Sequence, residues 1–207
     1  MTLESDKTLG GVGALLVVIG FLGFFASGYV AILALIGMII TLIALKGMAD
    51  HYNEAGIFNN ALYGVITLII GVVAFIATLV VVILMALSSI DIDWTNPAAI
   101  QAYFTDFTNI WNIIGAAIGA LVVLFVFTIV SAIFFRKSLI SLSAKSGEKI
   151  FETAGLLWLI GAVLTIILIG FILIGIAWIL IAVGFFSIKP TATQPPTAPP
   201  QPPPQPP

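Results

Sequence analysis

The sequence predicts an all-α, polytopic transmembrane helix bundle of about six spans arranged as three helical hairpins, and three observations predict it. Of 207 residues 61% are hydrophobic and 8% are charged, with a mean hydropathy of +1.24; a soluble domain of that length cannot hide so much apolar surface. Six stretches of ~20 residues can be drawn along the chain, the length at which a helix rising ~1.5 Å per residue crosses ~30 Å of hydrocarbon. All seven cationic side chains then fall on one side. Lys7 precedes the first span, Lys46 follows the second, Arg136, Lys137, Lys145 and Lys149 lie between the fourth and fifth, and Lys189 closes the sixth. Basic residues near span ends stay cytoplasmic, so both termini are expected inside the cell.

The first hydrophobic block, Leu9 to Leu45, is twice what one span needs and must fold back, with Ala26-Ser27-Gly28 as the turn. A signal peptide is the rival reading of its first half, but Glu4 and Asp6 spoil a positive leader and the apolar stretch runs on too far. Gly47 to Gly56, with Asp50, His51 and Glu54, reads as the first inner link. The third span runs from near Phe58 to about Leu87 and is long enough to tilt or protrude.

The outer loop, Ser88 to about Asp106, holds Asp91, Asp93 and Asp106 and no lysine or arginine. Within it Asn96-Pro97 reads as an N-cap followed by proline at the first helical position, predicting a short helix over 97–105. Ile100, Tyr103, Phe104 and Phe107, with Trp94 and Trp111 nearby, suit the headgroup boundary, where aromatic rings keep one edge wet. The fourth span covers Asn109 to Phe135, followed by a basic link from Arg136 to Glu152. A last apolar block, Ala154 to Phe186, is expected to turn near Gly170. The transmembrane domain therefore spans 1–189. Residues 190–207, ten of them proline, form a disordered, partly polyproline cytoplasmic tail that can build neither helix nor core.

The odd-numbered spans share a weak repeat. Gly13 to Gly20, Gly64 to Gly71 and Ala154 to Gly161 each place small residues seven positions apart. A parallel threefold repeat of hairpins and chance likeness among apolar segments both fit this pattern.

Asn60, Gly64, Thr67, Gly71, Ala74 and Thr78 form a small and weakly polar stripe along the third span, and Thr108, Asn112, Gly115 and Gly119 repeat it on the fourth. Gly115 to Gly119 is a GxxxG, which lets two backbones approach closely where lipid supplies no hydrophobic drive. Helix packing or dimerisation is the plain reading of both stripes; a hydrophilic path between the helices is the sharper one. No ionisable residue lies centrally in a span, which argues against proton relays and voltage sensing. A sodium site of backbone carbonyls or a neutral-solute pore stays open.

Chemistry has little support. His51 is the single histidine, there is no cysteine for a disulfide or thiolate site, and a zinc centre needs three or four ligands. Asp91 and Asp93 lack the further oxygens of a calcium loop. No phosphate-cradling loop, nucleophile elbow or metalloprotease pattern is present. No catalytic, cofactor-binding or metal-ligating residue is assigned, no cofactor is expected, and the chain reads as not an enzyme. The net charge of -2 does not suggest nucleic acid.

The runs Leu9-Gly-Gly-Val-Gly-Ala-Leu-Leu, Ile43-Ala-Leu-Lys-Gly through Ile57-Phe58-Asn59-Asn60-Ala61, Phe151-Glu-Thr-Ala-Gly-Leu-Leu-Trp-Leu-Ile-Gly and Phe185-Phe186-Ser187-Ile188 resemble the archaeal domain-of-unknown-function 996 family of multi-pass membrane proteins. The resemblance covers roughly residues 6 to 189, implies an archaeal cell-membrane protein, and brings no activity or functional residue. The expected function is a non-enzymatic membrane-organising or partner-binding role. Its partners would be the lipid bilayer, further copies of the chain through the glycine-rich faces, and a protein reading the proline-rich tail, whose Pro196 and Pro199 suit a groove for extended peptides. The alternative is a channel or transporter for a small uncharged solute or cation. The basic link from Arg136 to Lys149 sets orientation or attracts anionic headgroups.

Overall fold

Apolar runs unbroken by proline build seven α-helices among residues 2–24, 27–89, 95–167 and 169–189, the parts of the chain described by this computed structural model. They are α1 Leu3–Phe24, α2 Ile32–His51, α3 Ala55–Ser89, α4 Pro97–Thr105, α5 Phe107–Ser146, α6 Ile150–Leu164 and α7 Ile169–Ser187. Six of them are long and apolar enough to cross a membrane; α4, nine residues long, is the exception. Single 3-10 turns at Gly28–Ala31 and Thr165–Ile167 carry the chain from α1 to α2 and from α6 to α7. No strand occurs among the described residues.

The six long helices form three antiparallel hairpins, α1 with α2, α3 with α5, and α6 with α7. Further packing of α2 on α3, α5 on α6 and α7 back on α1 closes the hairpins into a ring. The links between hairpins are three residues each, 52–54 and 147–149, and both turn through a left-handed residue, Asn53 at φ 49° and Gly147 at φ 78°. Asparagine and glycine are the residues that enter this region at least cost. Both links, the start of α1 and the end of α7 share one end of the bundle, as the contacts of Asp6 with Gly47, Gly10 with Phe185 and Phe151 with Phe185 require.

The core lies toward that basic end. Leu45, Met48, Ile57, Leu142, Phe151 and Phe185 are fully buried there. Phe135 stacks on Trp158 at 4.4 Å between ring centroids, and Trp158 meets Trp178 at 4.8 Å. Aromatic stacking of this kind lets α5, α6 and α7 interlock where lipid provides no hydrophobic drive for association.

The expected short helix is present over its predicted residues, with the Asn96 side chain accepting from the Ala98 N–H at 3.0 Å. Two expected links are instead mostly helix. Between Arg136 and Glu152, α5 continues to Ser146, because Ser138, Leu139, Leu142 and Ser143 still face neighbouring helices and are buried. Between Gly47 and Gly56, α2 runs on through His51. The turn expected near Gly170 falls just before it, at Thr165–Ile167, and Gly170 itself marks a close crossing on Gly161 and Thr165 that leaves no room for a side chain.

Helices α3 and α5, of 35 and 40 residues, far outrun the other four, which have 15 to 22. At ~1.5 Å per residue α3 is about 50 Å long against ~30 Å of hydrocarbon. Among the described residues, the far half of this hairpin packs on its own partner helix and, near the start of α5, on α4. Val73, Ile76, Val80 and Leu84 of α3, and Leu121 and Val122 of α5, are exposed.

Candidate functional site

The seam between α3 and α5 is where the sequence places its stripe of small and polar residues. Ser131 of α5 donates its hydroxyl to the Gly64 carbonyl at 2.8 Å, and Ser138 donates to the Ile57 carbonyl. Both bonds reach across the helix pair, so a main-chain oxygen already used inside α3 takes a second donor. Side chains fill what remains: a Cβ on Gly64 would lie 2.6 Å from the Phe135 ring, and Gly71 lies beneath Phe127. Asn60 turns its amide back to the Gly56 carbonyl at 2.8 Å, and Thr78 likewise bonds Ala74 of its own turn at 2.8 Å. Thr67 and Ala74 are half-buried. At the levels of Gly64 and Gly71, then, the stripe is a filled contact.

The companion stripe on α5 behaves differently. Among the described residues nothing lies within 4 Å of where a Cβ would stand on Gly115 or on Gly119. The side chains of Thr108 and Asn112 lie outside the described residues, as do Asp91, Asp93 and Trp94 of the outer loop and the tail 190–207. Asp106 closes α4 as its C-cap, and Trp111 is more than half exposed.

The heptad-spaced small residues share one structural job. Gly13 lies on Thr41 and Gly37 of α2, Gly20 on Ala34 of α2, Gly64 and Gly71 on α5, and Gly161 on Ile174 of α7. The five glycines thus sit on the return helix of their own hairpin, where the missing side chain lets two backbones close up. Ala154 is fully buried at the start of the third.

The second polar region surrounds the last turn of α2 at the basic end. His51 is exposed, its ring edge-on to Tyr52 at 5.0 Å. Lys46 pairs with Asp50 at 2.6 Å and lies 5.7 Å over the Phe58 ring, while Glu54 reaches Lys145 of α5 at 3.4 Å. These pairs are largely exposed, a setting in which each adds well under ~1 kcal/mol. Tyr52 is pushed above the ordinary tyrosine range, first by burial and then by the charge of Glu148. Among the described residues no three histidine, aspartate or glutamate side chains gather closely enough to hold a metal ion.

Sequence reasoning missed Asp6. It sits in the first turns of α1 and is 1% exposed, packed against Gly47 of α2. From sequence it served only as an acid that spoils a positive leader; the signal that could have found it is Gly47, a glycine in an otherwise regular helix end facing the start of α1.

No solved structure matches the chain. Uncharacterized protein MJ1644 of Methanocaldococcus jannaschii is 30% identical over 188 residues, covering 91% of this chain and 94% of that protein. The family model described as "Protein of unknown function (DUF996)" matches residues 33–179, from the start of α2 to within α7. With most of its helical bundle matched by that model and nearly its whole length aligned to an archaeal relative, the chain belongs to the DUF996 family.

Proposed function

We propose that this chain is a non-enzymatic, multi-pass protein of the cell membrane that organises partners, in the first place further copies of itself, along the far half of its α3/α5 hairpin. Both termini and the basic end face the cytoplasm in this reading, as the placement of all seven cations favours. The observation that carries it is the contrast between two glycine pairs. Gly64 and Gly71 are covered by phenylalanines of α5, whereas among the described residues Gly115 and Gly119 open outward, with nothing within 4 Å of a side chain added there. A GxxxG face clear of side chains allows a second helix to approach closely, and packing is the main drive for association in lipid. The filled α3/α5 seam speaks against a solute path at the levels of Gly64 and Gly71.

Because the chain has no cysteine, Ile118→Cys introduces a unique thiol beside the open glycines. Oxidative crosslinking of that variant in vesicles is expected to give a disulfide-linked dimer, and adding Gly119→Ile is expected to reduce its yield at least tenfold. Exclusively monomeric protein at every protein-to-lipid ratio would remove self-association from the proposal.

A further inference from the structure

Arg136 and Lys137 stand inside α5, which continues past them to Ser146, in a helix long and apolar enough to cross a membrane. A cation in such a helix is costly to hold and is ordinarily paired. Lys137 lies 5.9 Å over the Phe134 ring. Arg136 has no comparable partner. The ion pairs among the described residues are Lys7 with Glu4, Lys46 with Asp50 and Lys145 with Glu54, so neither Glu148 of the next link nor Glu152 of α6 reaches it. Its Nε is buried and makes no hydrogen bond, and a donor withdrawn from water without an acceptor is costly.

The stem of Arg136 lies in the groove between α5 and α6. Gly155 of α6 comes so close that a Cβ there would stand 3.2 Å from the Arg136 Cα and 3.3 Å from its Cγ. Next to it Phe135 stacks on Trp158 and holds the two helices together. Ile133 and Ile140, a turn to either side on α5, and Leu156, beside Gly155 on α6, are exposed aliphatic side chains. Lys137 is exposed on the same stretch. A half-buried guanidinium without an acceptor therefore shares one stretch of the bundle with a second cation and with aliphatic surface.

We propose that this groove binds the phosphodiester of an anionic phospholipid, in the leaflet at the basic end, through the guanidinium of Arg136 with Lys137 as the second cation. The planar guanidinium offers phosphate oxygens paired N–H donors in a fixed fork, and the phosphate supplies the acceptor that the buried Nε lacks. Basic pockets between membrane helices suit such headgroups, and Ile133, Ile140 and Leu156 give the acyl chains an apolar surface. Two cations without a carboxylate partner favour a lipid of net negative charge over a zwitterion, whose own ammonium they repel. The site lies on the opposite half of α5 from Gly115 and Gly119 and does not rest on self-association there.

The test is the unfolding midpoint of the full-length protein in detergent micelles titrated with dioleoylphosphatidylglycerol, with dioleoylphosphatidylcholine and soluble glycerol phosphate as parallel arms. The midpoint is expected to rise and saturate with phosphatidylglycerol, by mass action of a ligand that binds the folded bundle, and to need about tenfold more of either other compound for the same rise. Arg136→Gln is expected to raise the half-saturating phosphatidylglycerol concentration about tenfold and Lys137→Gln about threefold. Lys145→Gln, which removes a cation already paired with Glu54, is expected to leave it unchanged. Should Arg136→Gln fail to fold, Arg136→Lys keeps the charge without the planar fork and is expected to raise it about threefold. An equal response to phosphatidylcholine overturns the proposal, and so does an equal response to glycerol phosphate, which would assign the anion to a water-soluble phosphate. Half-saturation unchanged by substitution of Arg136, or shifted as much by Lys145→Gln, overturns it too.

Discussion

Ser131 of α5 and Gly64 of α3, 67 residues apart in sequence, are joined by a hydroxyl-to-carbonyl hydrogen bond of 2.8 Å. Seven residues further along α5, Ser138 makes the same bond to Ile57, seven residues back along α3. The two bonds fix one antiparallel register, since sliding either helix by a residue breaks both. In lipid such an interhelical bond contributes ~0.6 to ~2 kcal/mol, because the unfolded helices also find partners. Ser131→Ala and Ser138→Ala are each expected to cost within that range, and the double variant roughly their sum. Reversible unfolding in mixed detergent micelles measures this; a double variant as stable as wild type would deny the seam its register bonds.

The two glycine pairs predict opposite responses to the same change. Gly64→Ala puts a methyl 2.6 Å from the Phe135 ring and 3.2 Å from the Ser131 carbonyl oxygen, so α3 and α5 must part. Overpacking of this kind costs ~1 to ~3 kcal/mol. Among the described residues Gly115→Ala meets nothing within 4 Å, and it exchanges glycine for the best helix former, so the isolated chain should gain up to ~1 kcal/mol. Comparing the two unfolding midpoints in dilute detergent checks the prediction, and equal losses would contradict the described packing.

The helical class, the span count and the short helix over 97–105 were legible because each rests on a local signal: run length, charge placement, or the Asn96-Pro97 cap. The extension of α5 past Phe135 was not legible, since Arg136 and Lys137 read as the end of a span. Burial of Ser138, Leu139 and Leu142 against other helices is a tertiary fact, and it keeps the helix going through charged positions. The stripes show the same limit. Composition marked Gly64 and Gly115 alike, and only the positions of Phe135 and Phe127 separate a covered glycine from an open one. The burial of Asp6 escaped for a related reason: its sequence position shows an acid ahead of an apolar run, and only the helix end facing it, at Gly47, shows that it is buried.

Tyr52 should give the protein an alkaline signature. Burial, and then the charge of Glu148, favour its neutral phenol in the folded state and raise its pKa above the ordinary value, about 10. The contribution is therefore complete below pH about 10 and is lost as pH climbs from there through the raised folded value. Above pH about 10 the unfolding midpoint of the wild type should fall more steeply than that of Tyr52→Phe, and Glu148→Gln should soften the fall. Parallel curves for wild type and Tyr52→Phe would show that the fold leaves this phenol unperturbed.

Orientation and wetness can be read together from single cysteines and a membrane-impermeant thiol reagent. With no native cysteine, every signal reports the chosen position. If the basic end is cytoplasmic, Asn53→Cys and Ser146→Cys should react only after right-side-out vesicles are opened, while Gln101→Cys on α4 should react in intact ones. The reverse pattern would invert the bundle. Thr67→Cys tests the seam: it lies between Gly64 and Gly71, both covered by phenylalanine rings, so it should stay inert in intact and opened vesicles alike. Labelling there would mean that water reaches between α3 and α5 at mid-helix, and a passage for a small solute would then outrank an organising role.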